Sequence, residues 1–305
     1  MSFAATGDEG ARGAVYDRGY RPYDGPRGRR GAATLALYKA SIRRGLGLRR
    51  AWRQKVAPFV LLAVVTIPAI VNVGIGYVTR DQAFDRIEII TYRNYVGVSS
   101  ALLLFVALVA PDVICPDRRQ RVLPLMFARP LIGRDYVTAK VGAIVSILFM
   151  FSFLPQVVLF VGNMLVSTNG AFDYLTENVD VLWKVPVAVL VLSLQYAVVG
   201  VAVSSLTDRR IVAGASIIGM FLVTSIAAGV IVGEDIDRSG GSLAALINVL
   251  ALPLHLRDVV FLGQVDPEGS LNGTSGGGWL ALAAYLVVLA AGMVVLLRRY
   301  RWVER

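Results

Sequence analysis

The chain has one cysteine, Cys115, and one histidine, His255, among its 305 residues. A single thiol closes no disulfide within the chain, and one thiol with one imidazole cannot assemble a Cys/His zinc site. No Gly-x-x-x-x-Gly-Lys-Ser/Thr occurs, so the loop that cradles nucleotide phosphates in Walker-type ATPases is missing. His-Glu-x-x-His is absent too, and His255 has no nucleophile motif to serve. Charge is scarce inside the long apolar runs, where Asp112 and Lys184, each close to an end of its run, are the exceptions. That scarcity disfavours a self-contained ion-coupled carrier, which needs ionisable groups along its pathway. The first 33 residues lack the apolar core of a secretory signal peptide.

What the chain has in abundance is apolar length. Hydrophobic residues make up 56% of it, and the mean hydropathy is +0.62. About 20 apolar residues in a helix rising ~1.5 Å each cross a bilayer core. Six runs meet that length, at 57–79, 95–115, 141–165, 183–206, 211–232 and 279–297. Each is apolar all round, which points to lipid-embedded helices. The expected fold is therefore an all-α polytopic membrane protein with six transmembrane helices.

Positive charge sets the orientation. Placing the N-terminus inside puts 25 of the 31 Lys and Arg residues in cytoplasmic segments. Both termini are then cytoplasmic, and the net charge of +10 reflects topology and attraction to anionic headgroups. Nucleic-acid binding is the weaker reading, because the cations are dispersed and no recognition motif accompanies them.

Residues 1–33 form a basic Tyr/Gly/Arg-rich tail. Two readings stand for it: a disordered cationic tail, or an extended peptide that docks on a partner through Tyr16, Tyr20, Arg21 and Tyr23. Residues 34–56 read as an amphipathic interfacial helix. Leu35, Tyr38, Ile42 and Leu46 make its apolar stripe; Lys39, Arg43 and Arg44 are among the cations around it. The loop 116–140 is expected to hold a short helix from Asp117 to Phe127, with Asp117 and Gln120 as a capping box. Leu123, Leu125, Met126 and Phe127 would be its exposed apolar face, and Arg118, Arg119 and Arg121 its cationic flank. Arg129-Pro130 would end it. In the longest outer loop, the apolar stretch 243–254 is too short to span and reads as the core of a re-entrant or interfacial element over 243–263, with Pro253 breaking or kinking it. Asn72, Ser99, Gln156 and Gln195 are polar residues near mid-span. They are candidates for a pathway, against helix–helix hydrogen bonding as the plainer role.

The stretch Asp117-Arg118-Arg119-Gln120-Arg121-Val122-Leu123-Pro124-Leu125-Met126-Phe127-Ala128-Arg129-Pro130, followed by Arg134-Asp135-Tyr136-Val137-Thr138-Ala139-Lys140, resembles the first cytoplasmic loop of ABC-2 type transporter permeases. Those proteins show an acidic residue, a short helix ending in Leu-Leu-x-x-Arg-Pro, then Arg-x-x-Tyr and Lys opening the third span. Six spans and a preceding amphipathic helix are similar as well, so the resemblance covers about residues 34–305. Gln120 stands where the usual pattern has Gly, and residues 1–33 lie outside it. The resemblance implies a type V exporter-like transmembrane domain in a bacterial plasma membrane, covering 57–305. It implies two partners: a separate cytoplasmic ABC ATPase carrying ATP and Mg, and a second permease chain. Asp117, Arg118, Arg119, Arg121, Leu123, Leu125, Met126 and Phe127 would then be the ATPase-docking coupling helix. Arg129, Arg134 and Lys140 would anchor the loop to headgroups. This chain itself would carry no catalytic residue, metal or cofactor. The alternative is a non-transport membrane component of an ATPase-driven assembly or signalling module.

Overall fold

The computed structural model describes residues 30–48, 52–79, 90–96, 99–127, 131–168, 170–239, 242–272 and 274–301. Among them the protein is all-α, with no strand. Six helices are long and apolar enough to cross a membrane, and the chain is a multi-pass membrane protein. The elements are α1 (Arg30–Gly45), α2 (Trp52–Val78), α3 (Tyr92–Val96), α4 (Ser99–Arg119), α5 (Leu123–Phe127), α6 (Gly133–Val166), α7 (Ala171–Glu177), α8 (Val179–Ser204), α9 (Arg210–Ser239), α10 (Leu252–Leu262) and α11 (Gly277–Arg301). A 3-10 turn, Leu243–Ile247, precedes α10.

The spanning helices begin or end several residues beyond the apolar runs. Helix α6 starts at Gly133 and α4 continues to Arg119, because polar residues at these ends find partners inside the protein. Helix α1 starts at Arg30 and stops at Gly45, with Gly47 in a left-handed turn. The amphipathic segment is thus shorter at its C-terminal end than the expected 34–56, and Trp52 already belongs to α2.

Helices α4 and α8 are the most enclosed spans, while α2, α9 and α11 line the outside. Phe105 on α4 stacks on Phe151 of α6 at 3.9 Å between ring centroids. Tyr196 on α8 meets Phe221 of α9 edge-on at 5.4 Å. Lipid tails are as apolar as leucine, so helices associate by close packing, and small residues permit it. A Cβ added to Gly200 on α8 would lie 2.6 Å from Val106 of α4, and one added to Gly214 on α9 would lie 2.9 Å from the backbone oxygen of Ala107.

The stretch 243–254 is not one apolar element. The 3-10 turn ends before Asn248, whose Oδ1 accepts the backbone N–H groups of Leu250 and Ala251, each at 3.1 Å, and the Ser225 hydroxyl at 2.8 Å. Pro253 then sits in the first turn of α10, where its missing N–H leaves no bond unmade. It opens a helix, where the sequence suggested a break. Gly263, in the left-handed region, closes α10.

Gly214→Val should lower stability by about 1–3 kcal/mol, since the opposing atom is backbone and cannot rotate away. Gly219→Val, on the same helix in open space, should leave the melting temperature in detergent unchanged. Equal melting of the two variants would refute the close α4–α9 contact.

Candidate functional site

The last turn of α4, the first two turns of α6, the end of α1 and the end of α11 converge on one carboxylate. Asp117 is wholly buried. Its Oδ2 lies 2.6 Å from Lys140 Nζ and accepts the Tyr136 hydroxyl at 3.0 Å. Arg44 of α1 donates to its Oδ1. The Lys140 ammonium, 2% exposed, also donates to the Val113 carbonyl at 3.0 Å. That carbonyl lies four residues before Asp117, so one cation satisfies two acceptors on the end of α4. The Tyr136 ring packs on Tyr300 of α11 at 4.7 Å. Beside this hub, Arg118 donates to the Ser205 carbonyl, and Asp112 pairs with Arg210 at the start of α9. Four of the six spanning helices are therefore tied together at the α1 end by polar contacts, and α11 joins them through the ring contact.

Several expected roles change. Asp117 does not cap a cytoplasmic helix; it lies inside α4, which ends two residues later. Lys140 does not reach headgroups, because its charge is spent on the buried Asp117. Arg44 is turned inward for the same reason. The short helix exists but starts at Leu123. Arg121, at φ 51°, makes the left-handed turn between α4 and α5. Its N–H bonds the Arg118 carbonyl at 3.1 Å, and the Val122 N–H bonds the Asp117 carbonyl at 3.2 Å. Helix α5 is thus attached directly to the hub. Leu123 is buried in the core and Met126 packs partly against it, so these two are not an exposed apolar face. Arg119, Arg121 and Arg134 are exposed. Leu125 and Phe127 belong to α5. Arg129, Tyr16, Tyr20, Arg21 and Tyr23 lie outside the described residues.

Of the candidate pathway residues, Asn72 and Gln156 reach carbonyls two residues apart, at Ile90 and Tyr92, while Gln195 reaches Val249. Three of them are amides that hold connecting segments in place. Asn72 Nδ2 donates to the Ile90 carbonyl at 3.3 Å, Gln156 Nε2 to Tyr92 at 3.4 Å, and Gln195 Nε2 to Val249 at 2.7 Å. Ser99 opens α4.

A second charged cluster occupies the opposite end of the bundle. Arg93 of α3 donates to Asp258 of α10 at 2.9 Å and to Asp266 beyond it. Arg257 donates to the same Asp258 oxygen at 2.6 and 2.8 Å. Two cations and two carboxylates balance there. Sequence reasoning missed this cluster, although a signal existed. Arg93 and Arg257 fall among the few cations that break the positive-inside bias, and such exceptions need anions. Next to the cluster, His255 Nε2 is buried and makes no hydrogen bond among the described residues. Burial lowers its pKa from 6.5, with Arg257 pushing the same way and Asp258 and Asp266 opposing.

At the hub the Asp117 carboxylate is held in place by two cations and a phenol. Among the described residues, no group of three His, Cys, Asp or Glu side chains could hold a metal ion. No protein-family model matches the chain, and no curated protein matches it.

Removing one member of a buried ion pair leaves the other uncompensated. Asp117→Asn and Lys140→Met should each cost about 3–5 kcal/mol, measured by denaturant unfolding in detergent. The double variant should lose less than the sum of the two; strict additivity would mean the charges do not interact. His255 gives a pH dependence. Its folded pKa is depressed, so the unfolded state binds the proton more readily, and stability must fall as pH drops below about 6.5 toward the folded value. The His255→Gln variant should flatten that part of the melting-temperature profile; an unchanged slope would assign the effect elsewhere.

Proposed function

We propose that this chain is the permease subunit of an ATP-driven exporter of the ABC-2 type. It would sit in a bacterial plasma membrane with its α1 end in the cytoplasm. ATP and Mg would be held by a separate ATPase chain, and a second permease chain would complete the membrane part. The reading rests on the loop pattern of residues 117–140 within a six-span architecture.

One observation carries its mechanism: the attachment of α5 to a buried ionic hub. Val122, the residue before α5, is joined to the Asp117 carbonyl by a backbone bond, and Asp117 is joined to α1 and α6 by charge. A push on α5 by an ATPase would therefore move α1, α4 and α6 together, because breaking the hub to move one alone would leave a buried charge unpaired. Bundles tied this way switch between discrete packings. Arg119 and Arg121, both exposed, would steer an acidic ATPase surface toward the loop. Residues 16–23 would add a second contact to the same ATPase. This chain would contribute force transmission and the membrane passage, with no catalytic residue of its own.

Co-purification with a co-expressed candidate ABC ATPase tests the proposal. The native chain should bring down an active ATPase, and the Leu125→Asp, Phe127→Asp variant should lose it while inserting normally. Equal retention by both would remove α5 as the docking element. No complex with the native chain would shift the reading to a non-transport membrane component.

A further inference from the structure

Beneath α1 lies an apolar slot of about 260 Å³. Ile42 and Leu46 of α1 form its roof, Phe59 of α2 and Phe105 of α4 two of its sides, and Met150 and Leu154 of α6 its rim. Ser146 also lines it, but its hydroxyl is taken by the Tyr38 hydroxyl at 2.7 Å. Among the described residues the slot therefore offers an occupant no free polar partner, and an apolar group fits it. Phe59, Met150 and Leu154 are exposed large hydrophobic residues on spanning helices, so the slot opens sideways into the bilayer.

The charge beside it narrows the occupant further. On a helix, residues three apart are neighbours on one face. Lys39 is three residues before Ile42, and Arg43 three before Leu46. Both cations are exposed, and among the described residues neither forms an ion pair. They differ in this from Arg44, which is turned inward onto Asp117, and from Arg30, which pairs with Asp135 at 2.5 Å. An apolar slot that opens to lipid, with two unneutralised cations on its roof helix, matches one kind of molecule: an acyl chain carrying an anionic headgroup. A free phosphate would leave the slot empty, and a zwitterionic lipid would leave the cations poorly matched.

We propose that this slot is a binding site for one anionic phospholipid from the leaflet on the α1 side. One acyl chain fills the space between α1, α2, α4 and α6, and the phosphate rests on Lys39 and Arg43. The lipid then completes the packing between α1 and the spanning helices. This site is independent of whether the chain works with an ATPase.

The test uses the full chain, reconstituted with equal phosphatidylglycerol and phosphatidylcholine, delipidated stepwise in detergent and weighed by native mass spectrometry. The native protein should keep one last lipid, with phosphatidylglycerol preferred by about fivefold for each cation. Met150→Trp should fill the slot and abolish retention. Val223→Trp, on the exposed face of α9, should retain lipid normally and shows that an added indole is harmless in itself. Lys39→Gln with Arg43→Gln should keep a lipid but lose the preference for phosphatidylglycerol. Equal retention of the two lipids by the native protein, or full phosphatidylglycerol retention by a folded Met150→Trp variant, overturns the proposal. A severalfold rise in retention on deleting residues 1–29 also overturns it, because the slot would then belong to that segment.

Discussion

A carboxylate with no access to water constrains everything at the α1 end of this protein. Asp117 cannot stay ionised there unless cations come to it, because burying an isolated charge costs far more than a folded protein has to spare. Lys140 and Arg44 come from different helices, so satisfying one charge fixes the position of three elements. The phenol of Tyr136 fills a further acceptor site and sets its ring against Tyr300, which brings in the last span. Hydrophobic contact alone does not orient helices in lipid, since lipid competes for every apolar face. The hub supplies direction and register where the apolar packing is permissive.

The two ends of the bundle solve the same problem differently. At the α1 end, one acid is shared by two cations, and the surplus charge falls on Arg44, the more exposed of the two. At the α10 end, two acids and two arginines balance. Between the ends, amides and hydroxyls take over. Gln195 and Tyr196 donate to the carbonyls of Val249 and Leu250, pinning the segment before α10 onto α8. Tyr285 on α11 donates to the Val191 carbonyl at 3.0 Å. Polar side chains within the spans thus serve mostly as fasteners between backbone segments.

The spans were legible in the sequence because a bilayer imposes one requirement, a long apolar helix, and six runs meet it. The short helix after the second span was legible as well, though its start was not. Asp117 looks like a capping residue in one dimension, and only the arrival of Lys140 and Arg44 from elsewhere makes it an interior residue. The same lack of long-range information makes Lys140 look like a headgroup anchor and Arg44 like one more cation on an amphipathic face. Cations beside a membrane are usually that, and nothing local distinguishes the two that turn inward. Asn72, Gln156 and Gln195 were ambiguous for a related reason. An amide in an apolar run signals that a partner exists, but not whether the partner is a cargo or a carbonyl on the next loop. The stretch 243–254 misled through composition: its apolar residues belong to two elements, and the join is made by Asn248, a residue whose importance lies in three acceptor contacts that no pattern reveals.

The clamp at the α10 end bears on how the chain is made. Arg93 and Asp258 are 165 residues apart, so during synthesis the arginine emerges long before its partner. Through the insertion of the third, fourth and fifth spans it remains an unmatched cation beside the second. Waiting is tolerable only because α3 lies at the end of the bundle, where water can hydrate the guanidinium. The clamp therefore closes late, once α10 has emerged, and until then Arg93 has no Asp258 to pair with.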